Sequence, residues 1–169
     1  MRLSIVRHGK AHRDSPTGAD CDRELMNRGR RQAEWLAEHL AQLDDSPVLL
    51  VSSPVVRARQ TAEIVAAALH VEVRLDDRLD TETSVTRVIE VVTEHADVEA
   101  LAIFGHNPTF SALASHIAGE SIGLKTGQCL AIDVDADNPV GSGRNPDLLR
   151  APTEVPWGVR KAGDQRLEL

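Results

Sequence analysis

Apolar positions along the chain recur at two spacings, and the two take turns. Leu3, Ile5 and Val6 read as a short buried strand; after a polar loop, Ala33, Leu36, Ala37, Leu40 and Leu43 repeat at helical spacing. Residues 48–51 are a second compact apolar run, closed by Ser52, Ser53 and Pro54, and Ala58, Thr61, Ala62, Val65, Ala66 and Leu69 mark one face of a second helix. Residues 71–75 alternate like a weaker strand, Val85, Val88, Ile89 and Val92 predict a third helix, and residues 101–104 a further buried strand. Phe110, Leu113, Ala114 and Ile117 predict a fourth helix, and residues 129–134 a strand that closes the sheet. Residues 135–147, rich in Asp, Asn, Pro and Gly, are expected to be an exposed loop, with Gly141-Ser142-Gly143-Arg144 a flexible turn; the tail after Arg150 has no clear pattern. Strands alternating with helices predict an α/β three-layer sandwich with a mostly parallel central sheet covered on both faces.

Composition narrows the class. A chain of 169 residues, 41% hydrophobic and 27% charged, is expected to form a single domain over 1–169 with a substantial core. The apolar run before Arg7 is too brief for a signal peptide or a membrane span. Cys21 and Cys129 stand far apart, without the spacing of a disulfide framework or a structural zinc site, so a reducing cytoplasm is the expected location. A net charge of −7 argues against nucleic acid or an anionic membrane as partner. Residues 1–31 nevertheless carry a local +4 while the rest carries −11, so positive charge gathers where a small anion could be drawn.

In open α/β sheets ligands bind beyond the carboxyl ends of the strands. Three of these junctions stand out: Arg7-His8-Gly9; Ser52-Ser53-Pro54 followed by Arg57; and Gly105-His106-Asn107-Pro108. Pro54 and Pro108 suit a first helical turn, and Ser53 and Asn107 the cap before it. Helix starts favour anions, Gly9 and Gly105 allow close backbone approach, and Arg7 and Arg57 offer planar forks that match phosphate. Neighbouring guanidinium groups disfavour an imidazolium, which leaves His8 a competent nucleophile, with His106 a further donor from the opposite wall. Arg59 competes with Arg57 for the arginine role, and the spacing favours Arg57. A metal site built from His12, Asp14 and His106 is disfavoured by the arginine pair, so neither metal nor cofactor is expected.

These residues carry a resemblance. Arg7-His8-Gly9 at the first strand end, Ser52-Ser53-Pro54 with Arg57-Ala58-Arg59-Gln60-Thr61-Ala62, and Gly105-His106-Asn107-Pro108 together resemble the histidine phosphatase superfamily, which includes phosphoglycerate mutases. Arg23, Leu25, Gly29, Gln32 and Ala33 resemble its loop-to-helix segment, so the likeness covers roughly residues 1–134 and is nearest to the small branch acting on protein phosphohistidine. The resemblance implies a phosphoglycerate mutase-like fold. It also implies a phosphorylated nucleophile at His8, a phosphate pocket of Arg7, Arg57 and His106 flanked by Gly9 and Asn107, and metal-independent hydrolysis.

Larger members carry a glutamate after the third strand as proton donor, within an insertion that this chain lacks. Asp80 and Glu82 fall in about that stretch, each more readily read as a solvated loop carboxylate than as the catalytic acid. Met26 replaces the usual capping Thr, which passes the cap to Asn27. An imidazole leaves a phosphoramidate with less help from an acid than an alkoxide needs, so a phosphorylated protein bearing phosphohistidine is the expected substrate. The alternatives are a phosphatase of a small phosphorylated metabolite and a non-catalytic phosphate-binding scaffold; a mutase is disfavoured by size.

Overall fold

The computed structural model describes residues 1–151, so the tail beyond, which the expected single domain includes, lies outside the described residues. Six strands form one sheet in the order β3-β2-β4-β1-β5-β6. They are β1 (Arg2–Arg7), β2 (Leu49–Ser52), β3 (Val73–Leu75), β4 (Ala100–Gly105), β5 (Gln128–Asp133) and β6 (Arg144–Arg150). The first four are mutually parallel; β5 runs antiparallel to β1 and pairs antiparallel with β6. Helices α1 (Asn27–Leu40), α2 (Val56–Leu69), α3 (Val85–Glu94) and α4 (Thr109–Ala118) alternate with the strands.

Side-chain alternation along the strands divides the core into two layers. Leu3 and Ile5 of β1 and Leu101 and Ile103 of β4 pack with Val88 and Val92 of α3 and with Phe110, Leu113 and Ile117 of α4. Val6, Leu50, Ala102 and Phe104 face the other way, onto Leu36 and Leu40 of α1 and Ala62 and Val65 of α2. The strands β1, β2 and β4 are therefore buried on both faces and read as near-continuous apolar runs.

The structure corrects several local expectations. Part of the presumed 135–147 loop is the start of β6, which among the described residues is an edge strand paired on one side alone and so accommodates Pro146. Gly143 lies against the end of α4, its N–H donating to the Ile117 carbonyl at 3.1 Å, and an added Cβ would sit 2.6 Å from that oxygen. The turn is packed, not loose. At α1, Asn27 is the first helical residue and Met26 occupies the cap position without a side-chain bond; the Met26 N–H donates instead to the Lys10 carbonyl. Helix α2 starts at Val56, two residues later than a Pro54 start requires, with no side-chain cap on its N-terminus. At α4 the cap position belongs to Pro108, while Asn107 accepts from the Ser111 N–H one turn on.

Candidate active site

The three junctions converge because β2, β4 and β1 are consecutive neighbours in the sheet. Arg7 lies beside Gly105 in the β1–β4 register and Ser52 beside Phe104 in the β2–β4 register. The ladder runs one residue past each strand: the His8 N–H donates to the Gly105 carbonyl at 3.1 Å and the Ser53 N–H to the Phe104 carbonyl at 3.0 Å. His8 and His106 are thus brought together, their ring centroids 5.1 Å apart and their planes tilted by 53°.

His8 is fixed at both ring nitrogens. Nδ1 lies 2.7 Å from the Gly9 carbonyl, which can only accept, so Nδ1 carries the proton and Nε2 keeps its lone pair. Arg57 Nε–H donates to that Nε2 at 3.3 Å. Burial, with the positive charges of Arg57, Arg7 and Arg23 adding to it, lowers the His8 pKa to about 4. His106, 3% exposed, is lowered to about 3, mainly by burial and then by His8 and Arg57. Both rings are neutral near pH 7.

The loop after His8 is held by the second and first helices. The Gly9 N–H donates to Thr61 Oγ1 (3.0 Å), whose hydroxyl donates to the Arg57 carbonyl, and Lys10 N–H donates to Gln32 Oε1 (2.9 Å). Gly9 packs on Gly29 so closely that a Cβ on Gly9 would lie 2.6 Å from the Gly29 carbonyl oxygen. Gln60 Oε1 accepts from the Leu25 N–H at 2.8 Å. Gly29, Gln32, Gln60 and Thr61 thus place the loop that follows His8.

Arg7 donates from Nη1 to the Leu124 carbonyl (2.9 Å), which also receives Asn107 Nδ2–H at 2.8 Å. Asn107 Oδ1 accepts from the N–H and hydroxyl of Ser111, so both ends of its amide hold the wall of the site. Arg57, 6% exposed, is in the site, whereas Arg59 pairs on the surface with Glu63. His12 and Asp14 line a separate open cavity of about 260 Å³, to which neither His8 nor His106 contributes. Among the described residues no group of three or more His, Cys, Asp or Glu side chains is placed to hold a metal ion.

Asp80 accepts from the N–H of Glu82 in its own turn, and Glu82 is exposed. Among the described residues, the carboxylate that does reach the site is Asp20. Its Oδ2 receives Arg57 Nη2–H at 3.0 Å, its carbonyl receives Arg57 Nη1–H at 2.9 Å, and its Oδ1 receives Arg23 Nη1–H at 2.8 Å. Hydrogen bonds from Arg23, then from Arg57, hold Asp20 below the usual carboxylate range. Sequence reasoning missed it because one Asp in a polar loop looks like any other. Arg23 was visible only as part of the loop-to-helix pattern.

The arrangement defines an α/β protein of the phosphoglycerate mutase-like fold, its sheet mostly parallel, with two histidines and two arginines at adjoining strand ends. The family model for the histidine phosphatase superfamily, branch 1, matches residues 3–84. Over 68 residues the chain is 41% identical to an uncharacterized protein of Picosynechococcus sp., covering 40% of this chain; it spans 41% of the length of that relative. A candidate phosphohistidine phosphatase, SixA, from Agrobacterium tumefaciens has a similar structure, with a TM-score of 0.78 at 25% identity over 89% of this chain and 97% of that one. A mycobacterial glucosyl-3-phosphoglycerate phosphatase shares the fold with a TM-score of 0.64 at 20% identity, over 87% and 96%. The chain is thus similar to the histidine phosphatase superfamily over residues 3–84, and its structure resembles the small phosphohistidine-phosphatase branch.

Proposed function

We propose that this protein is a metal-independent phosphohydrolase that works through a phosphohistidine on His8, and that its substrate is phosphohistidine on a protein. The observation that carries the reading is the fixed tautomer of His8: Nδ1–H is bound to Gly9, and Nε2 is neutral and faced by Arg57. In line attack by Nε2 forms the N–P bond as the bond to the leaving group breaks. The guanidinium groups of Arg7 and Arg57 and the His106 ring meet the charge on the equatorial oxygens. Water then cleaves the His8 phosphoramidate and releases phosphate. Gly9 and Asn107 serve as supports of the pocket, through Thr61 and Leu124.

The substrate preference rests on the state of the carboxylates. Asp20, the one bound to Arg57, is kept ionised by two arginines and is a poor proton donor near neutral pH. A leaving imidazole needs less protonation than an alkoxide, so such a site suits a phosphoramidate. Small phosphate esters are the second reading, favoured by the likeness in fold to a glucosyl-3-phosphoglycerate phosphatase. No helix among the described residues is long and apolar enough to cross a membrane; a single domain in the cytoplasm, with a phosphorylated protein as partner and no nucleic acid, completes the proposal.

The test compares initial rates on a histidine-phosphorylated protein domain and on an aryl phosphate ester, in chelator, for wild type and His8→Ala. Rapid His8-dependent loss of phosphohistidine with little ester turnover is expected. Faster ester turnover would move the assignment to the second reading, and inactivity on both would favour a non-catalytic scaffold.

A further inference from the structure

Ser53 sits in the motif after β2 where a helix cap is expected, yet α2 begins at Val56 and Ser53 is fully buried. Its Oγ accepts from the Val55 N–H at 3.2 Å and lies 3.0 Å from His106 Nε2. His106 Nδ1 is buried and has no hydrogen-bond partner among the described residues. A neutral imidazole carries one proton, so hydrogen-bond accounting separates two arrangements. If Nε2 held the proton, Ser53 Oγ would accept twice, its own O–H would be stranded in the interior, and the Nδ1 lone pair would be stranded as well. If Ser53 O–H donates to Nε2, the hydroxyl is satisfied in both roles and one group alone is left over, the Nδ1–H. Buried polar groups without partners are costly, which favours the second arrangement.

Building on the phosphatase reading above, we propose that Ser53 is a positioning residue. By donating to His106 Nε2 it fixes the proton on Nδ1 and so makes His106 a permanent N–H donor toward the phosphoryl group bound beside His8. The two histidines then have opposite chemical roles with the same tautomer. His8 has Nδ1–H tied to Gly9 and its lone pair at Nε2, which accepts from Arg57 Nε–H in the resting protein and is the pair that attacks. His106 has its lone pair at Nε2 tied to Ser53 and a free N–H at Nδ1 for an oxygen of the substrate. Without the hydroxyl, His106 could place its proton on either nitrogen, and the fraction protonated at Nε2 would present a lone pair to an anion.

Long-range ¹⁵N–¹H correlation spectra of the whole protein at neutral pH report the tautomer of each histidine directly. Wild type is expected to show His106 protonated at Nδ1, Ser53→Thr to preserve that signature, and Ser53→Ala to shift it toward Nε2–H. Loss of an oriented donor to a developing charge is expected to lower kcat/KM by about 10- to 100-fold in Ser53→Ala, with Ser53→Thr restoring most of it. An Nε2–H tautomer in the wild type overturns the proposal, and this needs no variant to fold. A Ser53→Ala protein that loses activity while His106 keeps its Nδ1–H also overturns it, because Ser53 would then be structural only. Because the tautomer is read in the resting protein, and inorganic phosphate can be titrated against it, the outcome is independent of which phosphorylated substrate is the natural one.

Discussion

Replacing Asp20 by Asn removes the carboxylate that occupies the Arg57 fork. A phosphoryl group bound to Arg57 beside His8 must take over Nη2 from Asp20 Oδ2, a contact of 3.0 Å between a nearly buried guanidinium and a carboxylate whose side chain is 60% exposed. A pair with one partner so exposed is worth about 0.2–1 kcal/mol. Repulsion between the ionised carboxylate and an incoming phosphate adds roughly 1 kcal/mol even at the dielectric of water. Asp20→Asn is therefore expected to tighten binding of inorganic phosphate by about 1–2 kcal/mol, or about 5- to 30-fold. The measurement is the competitive inhibition constant of phosphate against hydrolysis, at low salt and at high salt, where screening should shrink the gain. Asp22→Asn is the control, since the Asp22 carboxylate accepts from Thr17, whereas the Arg57 guanidinium bonds Asp20 and His8. Unchanged or weaker phosphate binding in Asp20→Asn would refute the competition and make Asp20 a brace that orients Arg57.

Other expectations follow from the same contacts. His8→Ala should reduce turnover by about three orders of magnitude or more while leaving the thermal transition near that of wild type, as single-turnover rates and calorimetry would reveal. Both histidines titrate lower in the folded protein than the ordinary 6.5, to about 4 for His8 and about 3 for His106. The unfolded chain therefore binds more protons in that window. The stability contribution of each is complete above pH 6.5 and declines as pH falls toward the folded values, by up to about 1.4 kcal/mol per unit for each ring, readable in urea titrations from pH 7 to 4. Gly105→Ala would place a Cβ 2.3 Å from the ring of fully buried Phe110, costing about 1–3 kcal/mol by chemical denaturation; Phe110→Leu in the same chain should recover part of it. Thr61→Val orphans the Gly9 N–H and should cost about 1–3 kcal/mol together with a fall in kcat, checked by the same denaturation and rate assays.

What could be read from the sequence was set by how local each signal is. Residues 49–51 and 101–104 announce buried strands because both of their faces meet helices, leaving no polar alternation to confuse the pattern. Strand β6 was hidden for the opposite reason: its sequence, Arg144 to Arg150, is mostly exposed, contains Pro146, and gains its extended form from pairing with β5. Ser53 was legible as a polar residue before a helix, but its buried partner is 53 residues away, and the choice between capping Val56 and bonding His106 depends on β2 lying beside β4. Asp20 had no local signal at all, since its meaning comes from Arg57, 37 residues further on.

The charge pattern shows the same dependence on long-range structure. The excess of positive charge in residues 1–31 pointed to the end of the sheet where His8 and His106 meet, yet its members serve different ends. Arg2 is bound at the opposite end of β1 by Asp45 and Asp133, while Arg7 and Arg23 act on His8, and Arg57, from outside that segment, makes the direct contact with Nε2. Lys10, Arg13 and Arg28 are exposed close in sequence to the site and are free to attract an anion without ordering it. In the proposed mechanism, attraction and positioning are thus carried by different residues. Neutralising the exposed three, as Lys10→Gln, Arg13→Gln and Arg28→Gln together, is expected to lower kcat/KM at low salt and to flatten its salt dependence while leaving kcat unchanged. A fall in kcat would place at least one of them in contact with the reacting group.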